Sequence, residues 1–579
     1  MQDTSGDNTS VEKPPGKPPS LYNQAKFYSD TWNEQPRMSD EGFGNVQSSP
    51  QPQGLQSEPS GIGLTAGGAQ DIENFRKNVE NDFLPLHTDI TYEGLFSDYY
   101  FDTGAEQQCE KLFCPSYSYA ISQDPLSEKD EYYLSVGLNS GIKESDFERK
   151  KLNLVVVLDV SGSMQSSFDR YYYDQFGGQL ERPGAPEDDF SKAKISIAAE
   201  SIAGMIDHLK DGDRLGIVLF DNTAHVAKPL ESMEATDRER LKKNILAIHA
   251  EGGTNMEAGI RSGTSLFEAV QDADPDEYES RIIFLTDAMP NTDLVNEFGL
   301  FGMIEKNARK SIHTTVIGIG VDFNTELVEH ITKVSGANYY SIHSSSSFLD
   351  RMTDEFEFMV TPLVFDLVLR LESDGYSIEQ VYGSPEADLA TGEIMRINTL
   401  FPSKTKDGQT KGGIVLLKLE RAPGDASITL DTSYRDRASR TGGDSVTFEL
   451  EDRGTIFYEN TGIQKGILLA KHAELVKTWA FEERASYAYS QGFEPAGYPF
   501  YGDGTPPFLS EGIRVPYHVG NTSLGQWERQ SIPLSVSGGY QAIMGQFGSH
   551  FEREMGSIGD PELEQELEIL RKLEGRPSG

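Results

Sequence analysis

The chain has 579 residues, and its charge argues against two classes of partner, although the charge could also serve solubility alone. It carries 92 Asp and Glu residues against 51 Lys and Arg, which gives a formal net charge of −41. A surface with this charge disfavours nucleic acid and anionic membranes, whereas it favours cations, basic partners and solubility. No apolar run approaches the about 18 residues of a membrane-spanning helix, and the start of the chain lacks the basic and apolar regions of a signal peptide. We therefore expect no transmembrane segment, in a protein that is cytosolic or has already lost a targeting segment.

Residues 1–69 are polar and rich in Pro, Gly, Ser, Gln and Asn. Such a segment buries too little apolar surface to offset the entropy of ordering, so we predict a disordered linker. Order is expected to begin near Asp71. Residues 70–150 then show a helical lead-in followed by stretches with strand periodicity. Cys109 and Cys114 in this region are predicted to form either a small disulfide loop or two free thiols.

From residue 151 onward, strand and helix patterns alternate. The strands are short, continuous apolar runs, as expected for strands that are buried on both faces. These runs span residues 154–158, 215–220, 282–285 and 315–319. The helices between them are indicated by regularly spaced apolar residues, which are Leu241, Ile245 and Ile248 in one helix and Leu327, Ile331 and Val334 in another. This succession predicts an α/β domain over residues 151–360, with a mostly parallel sheet and helices on both of its faces.

After this domain the alternation changes to period two, which predicts a β-sandwich over residues 361–460. The strands before residue 150 are predicted to belong to the same sandwich, so that the α/β domain is an insertion in it. Residues 461–485 predict a helix. Residues 486–579 form a tail rich in Gly and aromatic residues, which ends in a capped amphipathic helix beginning at Asp560. That helix either docks on the body of the protein or pairs with another chain, and docking is favoured.

Five side chains with oxygen atoms follow strands of the α/β domain. Asp159, Ser161 and Ser163 come directly after the first buried strand, where open α/β sheets bind ligands. Thr254 lies in a Gly-Gly-Thr-Asn segment, and Asp287 follows another apolar run. Two carboxylates and three hydroxyls, without imidazole or thiolate, suit Mg²⁺, Mn²⁺ or Ca²⁺ and argue against zinc or copper. The pattern therefore predicts a divalent-metal site.

These residues carry a resemblance to a known family. The segments DVSGSM, GGTN and LTDAMPN, in this order, resemble the metal-ion-dependent adhesion site (MIDAS) of von Willebrand factor type A (VWA) domains, and all five of its positions match. The resemblance implies a Rossmann-like fold and a metal, Mg²⁺ above all, with one coordination position left to water. In this family an acidic side chain of a protein ligand commonly fills that position.

Segments before the α/β domain point to a more specific group within this family. Residues 92–96 (YEGLF) and Cys114-Pro115 are similar to segments of bacterial VWA proteins labelled calcium-activated chloride channel-like, or YfbK-type. The stretch 165–190 departs from the family pattern, because it inserts three tyrosines, glycines and acidic residues beside the first metal loop. We interpret it either as a ligand-selecting lip or lid, or as a solvated loop without a role.

An enzymatic function is not expected. Ser161 and Ser163 lack His and Asp partners at the spacing of a nucleophilic site. Gly318 and Gly320 follow a strand but lack the further residues of a phosphate-binding loop. The leading hypothesis is a metal-dependent protein-binding module that acts in adhesion or assembly, at the cell envelope or outside the cell. The alternative is an intracellular VWA adaptor that couples an ATPase or another machine to a client.

Overall fold

The computed structural model describes the chain in separate segments. They are residues 31–33, 61–69, 72–105, 109–143, 146–167, 172–173, 179–180, 192–287, 299–319, 333–342, 344–353, 355–384, 394–424, 427–450, 456–490 and 532–575.

The strands of the described residues are, in chain order, β1 Gly61–Ala66, β2 Tyr100–Phe101, β3 Cys114–Gln123, β4 Asp130–Lys143, β5 Lys151–Asp159, β6 Tyr172–Tyr173, β7 Gln179–Leu180, β8 Arg214–Phe220, β9 Ala224–Ser232, β10 Tyr278–Thr286, β11 Ile312–Ile319, β12 Asn338–Ile342, β13 Val364–Glu372, β14 Tyr376–Tyr382, β15 Ile394–Ser403, β16 Thr405–Lys406, β17 Gln409–Lys411, β18 Ile414–Arg421, β19 Ser427–Asp436, β20 Thr441–Glu449 and β21 Phe457–Tyr458. The α-helices are α1 Glu73–Glu80, α2 Tyr92–Ser97, α3 Lys194–Met205, α4 Arg238–Leu246, α5 Met256–Ser265, α6 Leu300–Ala308, α7 Ser345–Met352, α8 Phe356–Met359, α9 Thr461–Ser490, α10 Gly538–Ile558 and α11 Glu564–Glu574.

The α/β domain is built on a sheet with the strand order β12-β11-β10-β5-β8-β9. All neighbours are parallel except β9, which pairs antiparallel with β8 at the edge. Side chains of β5 alternate between two cores: Leu154, Val156 and Leu158 pack on one face, and Val155 and Val157 on the other. Helices α3, α4 and α7 cover the first face, and α5 and α6 cover the second. The predicted mostly parallel sheet with helices on both faces is therefore confirmed. The predicted helix through Leu327 and Ile331 lies outside the described residues.

The second unit is an antiparallel sheet of ten strands among the described residues, folded around one core. Strand β4 connects its two halves, because one of its edges pairs first with β18 and then with β1. Strands β4 and β1 precede the α/β domain in the chain, whereas β18 and β15, the other neighbour of β1, follow it. The α/β domain is therefore inserted in a sandwich-like β unit.

A helical layer covers the outer face of this β unit. The side chains of β18 alternate between the two faces of the sheet. Val415, Leu417 and Leu419 face the sandwich core, whereas Ile414 and Leu416 face α9 and the other helices of the layer. Helices α1, α2, α9, α10 and α11 share this second core. The terminal helix α11 docks here, and its Leu567, Leu570 and Leu573 are buried. In the described part of the chain no helix combines the length and the apolarity needed to cross a membrane.

A buried group of charges fastens the terminal helix to this layer. Glu566 of α11 is fully buried and accepts hydrogen bonds from Arg76 Nε at 3.1 Å and from Tyr99 Oη at 2.9 Å. His472 Nε2 of α9 lies 3.1 Å from the second oxygen of the same carboxylate. Since a buried charge is tolerated only when it is paired, this carboxylate fixes the position of α11 on α1 and α9.

One sequence-based prediction is wrong. Residues 61–66 lie in the predicted disordered linker, but they form β1, which pairs with β15 and β4. The segment is short and half glycine or small residues, so composition averaged over the linker conceals it. Its Ile62 and Leu64 are buried in the sandwich. Tyr171 and the other residues of the 165–190 insertion lie outside the described residues, except around 165–167 and the paired strands β6 and β7. Cys109 and Cys114 are joined by a disulfide.

Candidate metal centre

The predicted metal residues lie at the carboxyl end of the parallel sheet. Asp159 is the last residue of β5, and Ser161 and Ser163 follow in a turn that continues as a short 3-10 helix. Asp287 follows β10, whose Leu285 is in register with Leu158 of β5. Because the two strands are parallel neighbours, their ends bring both carboxylates to one place.

Hydrogen bonds connect four of the five predicted residues. The backbone N–H of Ser161 donates to Asp159 Oδ1 at 2.8 Å, and Thr286 Oγ1 donates to Asp159 Oδ2 at 2.6 Å. The hydroxyls of Ser161 and Ser163 are 3.0 Å apart, and Ser163 Oγ donates to Asp287 Oδ1 at 2.8 Å. The structure thus forms one connected group of oxygen atoms from two separate loops.

The fifth residue, Thr254, lies on a third loop beside this group. The loop is tied to the first one by hydrogen bonds from Gly162 N to Gly252 O at 3.0 Å and from Gln165 Nε2 to Ala250 O at 3.0 Å. The side chain of Thr254 is exposed, and among the described residues it has no hydrogen bond to the other four. The structure therefore places Thr254 next to the site without joining it to the network.

The negative charge of the site is only partly compensated, because a buried lysine pairs with one of its two carboxylates. Asp159 is fully buried and Asp287 is 7% exposed. Burial and the negative charge of Asp287 raise the pKa of Asp159 to about 7, although hydrogen bonds from Thr286 and Ser161 oppose the shift. Two carboxylates this close cannot both ionise cheaply without a cation between or beside them. Hard carboxylate and hydroxyl oxygens are the donors that Mg²⁺, Mn²⁺ and Ca²⁺ prefer, so the residues present fit such an ion.

Sequence reasoning missed one member of the site. Lys194, the first residue of α3, donates from Nζ to Asp287 Oδ2 at 3.1 Å. The two side chains are 6% and 1% exposed, so this ion pair is buried. A signal was present: Lys194 lies four residues before Ala198 on the buried stripe of α3, in the first helical turn, where the helix dipole disfavours a cation. A lysine at such a position implies a carboxylate partner nearby.

Comparison with known proteins agrees with this geometry. Residues 154–289 match the family of von Willebrand factor type A domains. Among curated proteins, an uncharacterised protein of Synechocystis is 26% identical over 218 residues, which are 38% of this chain and 44% of that protein. The calcium-activated chloride channel regulator 1 of Equus caballus is 30% identical over 135 residues, 23% of this chain and 13% of that protein. The chain spans less than half the length of either relative.

Among solved structures, the von Willebrand factor type A protein from Catenulispora acidiphila aligns with a TM-score of 0.39 and 14% identity. The alignment covers 68% of this chain and 84% of that one. The matched family spans β5 to the loop after β10, which are the elements that bear Asp159, Ser161, Ser163 and Asp287. Residues 154–289 therefore belong to a von Willebrand factor type A (VWA) domain, and this domain is inserted in a β unit.

Proposed function

We propose that this protein binds a protein ligand through a divalent metal ion at the carboxyl end of its VWA sheet. Asp159, Ser161, Ser163, Thr254 and Asp287 would hold the metal, with Mg²⁺ the first choice and Mn²⁺ or Ca²⁺ as alternatives. The observation that carries the proposal is the connected oxygen network around two buried carboxylates, one of which has its pKa raised to about 7. When bound, the ion supplies a positive centre that accepts an oxygen atom of the ligand.

Charges at the site favour an acidic group on that ligand. The two carboxylates contribute −2 and Lys194 contributes +1, so a divalent ion brings the local formal charge to +1. The net charge of −41 repels an acidic partner at long range, but salt screens this repulsion beyond roughly 8 Å under physiological conditions. The attraction between the metal ion and an acidic group of the ligand then acts only at short distance. Binding of an acidic ligand should strengthen moderately with added salt and disappear with a chelator.

We also propose a binding role for the site serines in place of a catalytic one. The hydroxyls of Ser161 and Ser163 bond to each other and to Asp287, and in the described residues no histidine contacts them. A nucleophilic serine needs an oriented base, usually histidine. The hydroxyls are therefore available as neutral metal ligands that do not themselves offset the charge of the ion.

The proposed place of action is the cell envelope or the exterior of the cell. The disulfide between Cys109 and Cys114 supports it, because structural disulfides persist in oxidising compartments. Adhesion or assembly at that location would use the metal site as the contact point. An intracellular adaptor would instead be expected to keep both thiols reduced, which thiol titration of the native protein distinguishes.

Metal titration tests the core of the proposal. Calorimetry with MgCl₂ and MnCl₂ on the full chain should show binding that Asp159→Ala abolishes. The matched control is Asp350→Ala, which removes an exposed carboxylate on α7 of the same domain. It should titrate like the wild type. If Asp159→Ala binds metal as well as the control does, the site is wrongly assigned.

A further inference from the structure

A second candidate site lies at the opposite end of the VWA sheet from the metal centre. A cavity of about 1220 Å³ opens beside the first residues of β10 and β11. Its other wall comes from the β unit, through Phe365 of β13 and the turn from Arg435 to Ser439. This volume accommodates a whole small molecule, because ligand pockets typically measure about 300–1,000 Å³.

Six lysine and arginine side chains line this cleft. Two of them have carboxylate partners, which are Glu305 for Arg309 and Asp366 for Arg435. The other four, which are Lys150, Lys310, Lys333 and Arg437, have no salt bridge to any described residue, although Lys150 Nζ donates a hydrogen bond to the carbonyl oxygen of Pro275 at 2.5 Å. Because the chain as a whole has a net charge of −41, a group of cations without salt bridges around one cavity departs from its overall charge.

Arg437 is the cation that most needs a partner. Its Nη1 atom is buried and has no hydrogen-bond partner among the described residues, and its side chain lines the cavity. Burial lowers the pKa of Arg437, with only partial compensation from Glu279 and Asp436. Burial and the charge of Arg437 also lower the pKa of Lys150, so the two cations lie close enough to repel each other. A buried N–H without an acceptor costs about 1–3 kcal/mol, and such an orphan in a folded protein calls for a water or a ligand.

The two carboxylates that act on Arg437, Glu279 and Asp436, are already engaged. Glu279 Oε1 lies 2.6 Å from His313 Nδ1 and accepts a hydrogen bond from Arg281 Nη2 at 3.1 Å. Burial alone would raise the pKa of Glu279, but the charges of His313 and Arg281 leave it lowered. Asp436 accepts hydrogen bonds from Arg440 Nε at 2.7 Å and from two backbone N–H groups of its own turn. The described residues therefore leave Arg437 and Lys150 without a full counter-charge.

We propose that this cleft binds a small polyanion whose oxygen atoms are held by Arg437 and Lys150. Phosphate and carboxylate groups share the required chemistry, since both accept charge-assisted hydrogen bonds from a planar guanidinium and from an ammonium. The apolar side chains of Phe267, Val334 and Phe365 supply contacts for the uncharged part of the molecule. The site is independent of the metal centre, because its residues lie at the other end of the sheet.

The test uses the full chain after divalent ions have been removed with EDTA and the EDTA itself by gel filtration, so that neither the metal centre nor chelation by the anion contributes and no competing polyanion is present. Pyrophosphate and citrate are titrated by calorimetry at constant ionic strength, and the stronger of the two identifies the oxyanion. Arg437→Gln should weaken the binding by about tenfold or more, the loss expected for one charge-assisted hydrogen bond. Arg396→Gln is the matched control, because Arg396 is an exposed arginine of β15 that does not line the cavity. It should bind like the wild type.

Lys150→Met is a second variant that also removes a cation of the cleft, and it should weaken the binding in the same direction. Thermal unfolding in the absence of anions shows whether each variant is folded. Absence of binding of both anions to the wild type overturns the proposal. Equal binding to the wild type, Arg437→Gln and Lys150→Met also overturns it, since the anions would then bind elsewhere on the surface.

Discussion

Replacing Lys194 with Met removes the ammonium group that lies 3.1 Å from Asp287 Oδ2 and keeps most of the aliphatic side chain. A divalent ion that coordinates Asp287 has to compete with this ammonium for the same carboxylate. A hydrogen bond to a charged group contributes about 1.5–3 kcal/mol, and this pair is buried, so solvent screens it little. Since about 1.4 kcal/mol is a tenfold change in Kd, we expect Lys194→Met to bind Mn²⁺ about 10- to 100-fold more tightly than the wild type.

Lys192→Met is the matched control for this substitution. Lys192 lies two residues earlier, and its Nζ is 2.9 Å from Glu200 Oε2, with both side chains 38% exposed. Its removal changes the net charge by the same amount without touching the two site carboxylates. Because exposed ion pairs contribute only about 0–1 kcal/mol, Mn²⁺ affinity should change by less than about twofold.

Thermal unfolding supplies a second readout for the same pair of variants. In EDTA, Lys194→Met leaves Asp159 and Asp287 without their cation, so it should unfold at a lower temperature than the wild type. Added Mn²⁺ should raise its unfolding temperature more than that of the wild type, because an ion that binds the folded state more tightly stabilises it more. Unchanged or weaker Mn²⁺ affinity in Lys194→Met would show that the lysine does not compete with the metal. No Mn²⁺ binding in either protein would instead contradict the metal site itself.

Two further predictions concern stability away from the metal centre. Glu566→Gln should lower the free energy of unfolding by about 1.5–3 kcal/mol in urea, because the buried Arg76 guanidinium loses one charged partner and keeps Asp98 at 2.7 Å. Glu568→Gln, exposed on the same helix, should change it by less than about 0.5 kcal/mol, and equal effects of the two would contradict this role. Burial and the charges of Lys477 and Arg484 lower the pKa of His87 to about 3, so the unfolded chain takes up this proton first, near pH 6.5. The contribution of His87 to stability is therefore present above pH 6.5 and is lost as the pH falls toward 3, by up to about 1.4 kcal/mol per pH unit. His87→Gln should remove this part of the pH dependence, and identical slopes in the two proteins between pH 6 and 4 would refute the reasoning.

The central strands of the VWA sheet were predictable because burial on both faces requires a continuous run of apolar residues. The runs 154–158 and 282–285 are continuously apolar, and they became the centre of the sheet in β5 and β10. Strand β9 escaped prediction because it is an edge strand that contains Pro229 and the buried ion pair between Lys228 and Glu231. Proline is confined to edges of sheets, where its missing N–H costs nothing, so the apolar pattern of a central strand is absent there.

Helix α10 was missed for a different reason. Its interior contains Gly545 and Gly548, which lower the intrinsic helix propensity and obscure the pattern. Yet Met544, Phe547 and Phe551 recur at helical spacing and are buried against α9 and α11. Tertiary burial outweighs the propensity of the individual residues, and this burial depends on partners that lie far away in the chain.

The sites at the two ends of the VWA sheet differ in how well the sequence alone predicts which residues form them. Asp159 and Asp287 each follow a strand of the same sheet directly, so adjacency of β5 and β10 is enough to bring them together. The cleft at the other end instead joins Lys150 and Glu279, next to the first residues of β5 and β10, to Arg437 beyond β19 of the β unit. That contact exists only because the domain is inserted between β4 and β13, which brings the turn after β19 against the amino end of the parallel sheet. A ligand site within one domain can follow from the order of its strands, whereas a site between an inserted domain and its host depends on how the two pack.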